Sequence, residues 1–95
     1  MIIARSAERE FRGLDACRRS ALKRVMHDHL ELEPTRESKS RIKRLRSLRR
    51  PQYRLRVDDM RVFYDVNPAL RRVEVLGFVR KASVEAWLER HGVPE

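Results

Sequence analysis

Residues 53–66 read Tyr53-Arg54-Leu55-Arg56-Val57-Asp58-Asp59-Met60-Arg61-Val62-Phe63-Tyr64-Asp65-Val66 and carry the strongest structural signal in the chain. Apolar and charged residues alternate on both sides of a central pair of aspartates. Alternation with a period of two predicts half-buried β-strands. The two aspartates predict a two-residue turn, so we expect the two strands to pair as an antiparallel hairpin.

The register of this hairpin predicts an unusual pair of like charges. A two-residue turn places Arg56 opposite Arg61 and Arg54 opposite Phe63 on the polar face. Like charges that lie directly opposite each other destabilise a sheet. A bound phosphate would reverse this effect, because guanidinium groups donate charge-assisted hydrogen bonds to it, and an exposed Phe63 could stack on a base. The alternative is that neighbouring aspartates neutralise the arginines in solvated pairs.

The segments before the hairpin predict a strand and two helices. Met1–Arg5 is apolar and β-branched, which favours a strand. Ser6 is a candidate cap for a short helix that ends at Gly13, and Asp15 is a candidate cap for a longer helix that ends near Pro34. One face of the longer helix is apolar and comprises Leu14, Cys17, Ala21, Leu22, Val25 and Met26. Cys17 is therefore expected in the core.

The segments after the hairpin predict one more strand and a last helix. Val73–Val79 is apolar on both faces except for Glu74, which favours a strand inside the sheet. Ser83 is a candidate cap for a helix whose inward stripe contains Val84, Trp87 and Leu88. The predicted fold class is α+β, with two N-terminal helices packed on a small antiparallel sheet and a short C-terminal helix. The length predicts one domain over residues 1–95.

The charge of the chain is concentrated in one segment. The sequence contains 23 Lys and Arg residues and 14 Asp and Glu residues, which gives a net charge of +9. Residues 36–56 contain ten basic residues and one acid, so this segment carries a charge of +9 by itself. A cluster of this kind attracts polyanions. The nucleic-acid-binding candidates are Lys39, Arg41, Lys43, Arg44, Arg46, Arg49, Arg50 and the hairpin residue Phe63.

Residues 35–50 lack a clean periodicity, so their structure is left open. The segment is predicted to be a basic loop or an irregular short strand, and a disordered linker is the alternative. Its charge has alternatives as well, since a solvated basic face or a compositional bias towards arginine would produce the same pattern. We therefore expect nucleic acid or an acidic protein as the partner, with these bland explanations still open.

Other functional classes receive little support. No apolar run approaches the ~20 residues that span a membrane, and Cys17 is the single cysteine, so a cytoplasmic protein without a membrane partner is predicted. His27 and His29 are two residues apart on a helix and point in different directions, which argues against a metal site. The three glycines are isolated and form no phosphate-binding loop, so no cofactor is expected.

The hairpin, followed by Val73-Glu74-Val75-Leu76-Gly77-Phe78-Val79-Arg80-Lys81, resembles the RelE/ParE toxin superfamily. The leading strand and the segment Ser6–Phe11 also resemble it, so the likeness covers nearly the whole chain. The resemblance implies the RelE-like fold, which is that of small microbial ribonucleases. It also implies the toxin of a type II toxin–antitoxin pair with a cognate antitoxin as partner.

Within this superfamily, RelE-type toxins are mRNA endonucleases that stop translation by cutting messenger RNA at the ribosome. The resemblance implies catalytic roles for Arg54, Arg56, Arg61 and Arg80, with Lys81 or Tyr64 as the proton carrier. Arg54 and Arg56 stand where RelE-type enzymes carry lysines, and arginine does not act as a general base. Two alternatives are therefore kept: a ParE-like inhibitor of DNA gyrase, and a catalytically dead RNA-binding domain.

Overall fold

The computed structural model describes all residues 1–95 and contains three helices and seven strands. The helices are α1 (Arg5–Arg12), α2 (Ala16–Leu30) and α3 (Val84–His91). The strands are β1 (Ile2–Ile3), β2 (Ile42–Arg44), β3 (Leu48–Arg50), β4 (Tyr53–Val57), β5 (Met60–Asn67), β6 (Arg72–Arg80) and β7 (Val93–Pro94). A 3-10 turn, Lys81–Ser83, joins β6 to α3. The α+β fold class predicted from the sequence is confirmed.

The hairpin of β4 and β5 has the predicted register. Arg56 pairs with Arg61, Arg54 with Phe63, and Val57 with Met60, so Asp58 and Asp59 form the turn. Asp58 has a φ of 53°. This left-handed conformation is one that aspartate tolerates better than most residues, because its short side chain can hydrogen-bond locally. Local sequence therefore specifies the hairpin.

Five strands form the main sheet in the order β1-β6-β5-β4-β2, and β3 pairs with β7 in a separate ribbon. Pairing is antiparallel except between β1 and β6, which are parallel. The parallel pairing of β1 with β6 is the one departure from the predicted antiparallel sheet. The direction of a two-residue strand depends on a partner about seventy residues later, so no local pattern reveals it.

Several helix and strand ends differ from the sequence predictions. β1 is shorter than Met1–Arg5, because Ala4 already contributes its backbone oxygen to the first turn of α1, at 2.9 Å from Glu8 N. Ser6 therefore lies inside α1 and does not cap it. Asp15 does cap α2, since its side chain accepts a hydrogen bond from Arg18 N at 2.7 Å. Ser83 occupies the cap position of α3 without a side-chain hydrogen bond.

Residues 35–50 are not a disordered linker. They contain β2 and β3, joined by a bend at Ser47, which has a φ of 64°. β2 extends the main sheet beside β4, with Ile42 opposite Leu55. The irregular short strand considered from the sequence is thus the better description, although two strands form. Burial of Ile42 anchors the basic segment to the sheet.

The two sides of the main sheet carry separate cores. On the helix-facing side, α1 and α2 cover the larger core, which includes Leu22, Val62 and Tyr64. On the opposite side, α3 covers a small core formed by Phe63, Val79 and Trp87. No helix is long and apolar enough to cross a membrane.

Cys17 does not belong to the core as predicted, because its side of α2 is exposed. Leu22 faces the sheet from the same helix. A separation of five residues turns a side chain by about 140° around a helix axis with 3.6 residues per turn. Cys17 therefore points away from the sheet that Leu22 contacts.

Candidate nucleic-acid interface

The side of the sheet opposite α1 and α2 carries a cluster of basic residues. The register aligns Lys43 with Arg54 and Arg56 with Arg61, and paired residues share a side. Two hydrogen bonds join Arg41 to Arg56. The backbone oxygen of Arg41 accepts from Arg56 N at 2.9 Å, and Arg41 Nη1 donates to Arg56 O at 3.0 Å. We call these five residues the basic face. The hairpin and β2 therefore present two adjacent like-charge pairs on one surface.

None of the seven ion pairs in the structure includes a residue of the basic face. The predicted alternative of neutralisation by the hairpin aspartates is therefore wrong. Asp59 pairs with Arg18 at 2.7 Å, and Asp65 pairs with Arg50 at 3.2 Å. Because the positive charges of the basic face are not compensated, they attract anions.

Arg54 is the least satisfied residue of the basic face. Its Nε is buried and has no hydrogen-bond partner. Burial lowers the pKa of Arg54 from its ordinary value, and the charge of Arg56 lowers it further. A buried donor without a partner costs about 1–3 kcal/mol. An anion that accepts a hydrogen bond from this guanidinium would remove the penalty.

Arg61 is 7% exposed and is anchored to the turn. Its Nη1 donates to Asp58 O at 3.0 Å and to Met60 O at 2.8 Å. Burial lowers the pKa of Arg61, and the charges of Arg54 and Arg56 lower it further. With Nη1 held by the two carbonyls, the guanidinium has a fixed orientation. Fixed donors of this kind suit the stabilisation of a developing negative charge.

Phe63 cannot stack on a base, so the prediction of a nucleic-acid contact for it is wrong. The residue is fully buried, and its ring stacks on Trp87 with centroids 4.8 Å apart and planes 10° apart. The strand alternation correctly places Phe63 on the same side as Arg54. The side is covered at this point because α3 packs over it, which no feature of the hairpin reveals.

Tyr64 is not a plausible proton carrier, so its predicted catalytic role is wrong. It lies on the helix-facing side, is fully buried, and its hydroxyl donates to Pro34 O at 2.6 Å. Burial raises the pKa of Tyr64 from its ordinary value, and the nearby Tyr53 raises it further. The sheet separates this hydroxyl from Arg61, because successive residues of a strand point to opposite sides.

Replacing Tyr64 with Phe tests whether the Tyr64 hydroxyl has a purely structural role. We expect Tyr64→Phe to lower the free energy of unfolding by about 1 kcal/mol, because a buried hydrogen bond to Pro34 O is lost. Growth of a bacterial host that expresses Tyr64→Phe should match growth with the wild-type chain. Urea unfolding and growth curves measure the two effects. A stable Tyr64→Phe protein whose effect on growth differs from that of the wild type would contradict a purely structural role for Tyr64.

Arg80 lies apart from the basic face, and Lys81 follows it directly after the end of β6. Arg80 pairs with Met60 and therefore shares the helix-facing side, where its charge contributes to lowering the pKa values of Asp15 and Asp59. Lys81 is exposed at the start of the 3-10 turn, and its backbone N donates to Asp59 O at 2.8 Å. The structure thus brings Arg54, Arg56 and Arg61 together and leaves Arg80 outside the cluster.

The remaining predicted nucleic-acid contacts divide into three groups. Arg50 is occupied by ion pairs with Asp65 and Glu74. Arg44 lies over the ring of Tyr53, 5.1 Å from its centroid, on the helix-facing side. Three further candidates do not belong to the basic face and form no ion pair: Lys39, Arg46 and Arg49. Only Arg41 and Lys43 of this set therefore extend the arginine cluster directly.

Arg18 makes two contacts that the sequence does not predict together. It links the start of α2 to the hairpin turn through Asp15 and Asp59. The Asp15 cap is visible in the sequence, whereas the contact with Asp59 spans 41 residues and has no local signal. No group of three metal-ligating side chains is present.

Two solved structures share this arrangement of strands and helices. One is a RelB–RelE antitoxin–toxin complex from Methanococcus jannaschii, with a TM-score of 0.71 and 15% identity over 92% of this chain and 98% of that chain. The other is an archaeal RelE–RelB complex from Pyrococcus horikoshii OT3, with a TM-score of 0.67 and 24% identity over 83% and 90%. The fold is RelE-like. No family model and no curated protein matches the sequence.

The RelE-like fold accounts for the position of the basic face. In this chain, α1 and α2 occupy one side of the sheet and α3 covers only part of the other. The uncovered part is where β2, β4 and β5 present their basic residues. A ligand of the basic face would contact strands that the sheet holds in register, and this favours a rigid site.

Proposed function

We propose that residues 1–95 form the toxin of a toxin–antitoxin pair and that this toxin cleaves messenger RNA at the ribosome. The observation that carries the proposal is the uncompensated cluster of Arg54, Arg56 and Arg61, in which Arg54 Nε is buried without a partner. Such a cluster is costly for folding and is suited to a phosphate group. Because messenger RNA is the proposed substrate, the toxin would act in the cytoplasm.

The proposed reaction is cleavage of RNA by its own 2′-hydroxyl group. The 2′-oxygen bonds to the phosphorus, the bond from phosphorus to the 5′-oxygen breaks, and a 2′,3′-cyclic phosphate and a 5′-hydroxyl result. Negative charge builds on the phosphoryl oxygens in the transition state, where Arg54, Arg56 and Arg61 stabilise it. The 2′-proton passes to solvent, and Lys81, which carries an exchangeable proton, is the proposed donor to the leaving oxygen. No metal or cofactor takes part.

The proposed partner is an antitoxin protein with an acidic segment. Both similar structures are complexes of RelE with RelB, and this chain carries a net charge of +9. An acidic segment laid over the basic face would supply the carboxylates that it lacks and would exclude RNA. Binding would also stabilise the folded chain by mass action.

One observation favours a second function, inhibition of DNA gyrase without nuclease chemistry. The basic face consists of arginines and one lysine, and Tyr64 is buried on the other side of the sheet. Arginine does not release its proton in proteins, so four of the five residues of the basic face cannot act as a general base. A surface that only grips an anionic or acidic partner needs none.

Pulse labelling after induction in a susceptible bacterium distinguishes the two functions. We expect protein synthesis to stop before DNA synthesis in cells that express the wild-type chain. Arg56→Gln should restore growth, because it removes an exposed cation of the proposed phosphate site. Arg72→Gln is the matched control, since Arg72 is also exposed on a strand but lies outside the basic face.

The order of arrest decides between the proposals. Mapped RNA 5′ ends that appear with the wild-type chain and not with Arg56→Gln would support cleavage. Arrest of DNA synthesis first would replace the ribonuclease by the gyrase inhibitor. Equal toxicity of Arg56→Gln and Arg72→Gln would show that the basic face is not the active surface.

A further inference from the structure

Arg18, near the start of α2, holds the turn between β4 and β5 with its whole guanidinium group. Nε donates to Asp59 Oδ1 at 3.2 Å, and Nη2 donates to Asp59 Oδ2 at 2.7 Å. Nη1 donates to Asp15 Oδ2 at 2.6 Å, while Asp15 Oδ1 accepts from Arg18 N. The contact with Asp59 is therefore a two-bond fork, and the helix cap Asp15 fixes the other side of the same guanidinium.

The turn that Arg18 holds also determines the position of two residues in the proposed active site. Asp58 O accepts a hydrogen bond from Arg61 Nη1, and Asp59 O accepts one from Lys81 N. Displacement of the turn would therefore move both the guanidinium of Arg61 and the start of the 3-10 turn. Without Arg18, the side chain of Asp59 would lack its hydrogen-bond partner in α2.

We propose that Arg18 is a positioning residue, which locks the Asp58–Asp59 turn so that Arg61 and Lys81 are aimed at the scissile phosphate. The catalytic part of this inference rests on the ribonuclease function proposed above. Arg18 itself does not bind RNA, because two carboxylates occupy its donors. It acts through Asp59 and the turn.

The geometry separates this contact from ordinary surface ion pairs, which contribute little. A fork–fork pair fixes orientation as well as distance. Hydrogen bonds from Arg18 lower the pKa values of Asp15 and Asp59, and the charge of Arg80 lowers them further. Both carboxylates are therefore charged acceptors for Arg18 at neutral pH.

Hydrogen exchange on the purified full chain tests the positioning without any reference to activity. In Arg18→Gln, we expect the Lys81 amide to exchange at least about tenfold faster than in the wild type, because its acceptor Asp59 O becomes mobile. Amides in the middle of β5 and β6 should keep their protection. Arg12→Gln is the matched control, since it breaks an exposed pair with Glu8 within one helix.

Kinetics of RNA cleavage on programmed ribosomes test the consequence for the reaction. Arg18→Gln should lower kcat by about 10-fold to 100-fold with little change in KM, as expected for a small misplacement of catalytic groups. Asp59→Asn should have the same effect, and the double variant should be no worse than either single one, because both changes remove one link. The salt dependence of RNA binding should not change, since no phosphate contact is lost.

The outcomes separate this inference from the function on which it rests. Unchanged protection of Lys81 in Arg18→Gln would overturn it, and so would a shallower salt dependence, which would make Arg18 a phosphate ligand. Additive losses in the double variant would overturn it as well. If the wild-type chain cleaves no RNA, the ribonuclease proposal fails, while faster exchange of Lys81 still establishes that Arg18 holds the turn.

Discussion

Replacing Arg54 with Met is expected to stabilise the fold and to abolish most of the proposed ribonuclease activity. Arg54 Nε is buried without a partner, and the neighbouring charge of Arg56 opposes its ionisation. Methionine retains much of the volume and removes both penalties, so we expect the free energy of unfolding to rise by about 1 kcal/mol. Chemical denaturation of the two purified proteins measures this change.

The same substitution should lower the rate of RNA cleavage by about 100-fold or more, which is the usual loss when a fixed donor to a transition-state oxyanion is removed. A gain in stability together with a loss of activity identifies a residue kept for function at the expense of folding. The rate is measured in a purified translation system with a defined messenger RNA. Single-turnover conditions separate the chemical step from product release.

Two matched variants control this experiment. Arg56→Met removes a solvent-exposed arginine from the same strand, so activity should fall while stability stays within about 0.5 kcal/mol of wild type. Arg72→Met lies outside the basic face and should change neither property. An Arg54→Met protein that is less stable than wild type would show that Arg54 has partners that the structure does not reveal. Full activity would remove Arg54 from the phosphate site.

Gly77→Ala is expected to destabilise the protein, although alanine is normally better tolerated than glycine inside a strand. A Cβ at this position would lie 2.4 Å from Cζ2 and 2.7 Å from Cε2 of Trp87. Trp87 is 4% exposed and stacks on Phe63, so its ring has little freedom to move away. Overpacking of this kind costs about 1–3 kcal/mol. Urea unfolding measures the loss.

Gly13→Ala is the control for the Gly77 prediction. A Cβ at Gly13 would meet only backbone oxygens at 3.6 and 3.7 Å, so we expect a neutral or slightly stabilising effect. Combining Gly77→Ala with Trp87→Leu should cost less than the sum of the two single changes, because the smaller side chain removes the clash. Equal stability of Gly77→Ala and wild type would show that α3 shifts readily on the sheet.

Much of the fold could be predicted because its signals are local. Alternation around Asp58 and Asp59 predicted both strands of the hairpin and their register, including the Arg56–Arg61 pair. Asp15 was predicted as the cap of α2, and its contact with Arg18 N confirms it. Each of these features depends on residues within a few positions of one another.

The candidate site was predicted in part. The sequence predicts a phosphate site at the arginines of β4 and β5, and this role stays a proposal. The predictions for Phe63 and Tyr64 are wrong for a related reason, because alternation assigns a residue to a side of the sheet and does not say what covers that side. The alternation places Tyr64 on the same side as the buried Val62, whereas the burial of Phe63 depends on α3, which begins 21 residues later in the chain.

By itself, the amino-acid sequence determined the fold class, the hairpin register and the concentration of positive charge in one segment. Tertiary structure was needed to show which charges remain uncompensated. Arg50 is paired with Asp65 and Glu74, Arg80 lies on the helix-facing side, and Arg54 has no partner. The physical reason is that ion pairs and burial join groups far apart in the chain, whereas propensity and periodicity act over a few residues.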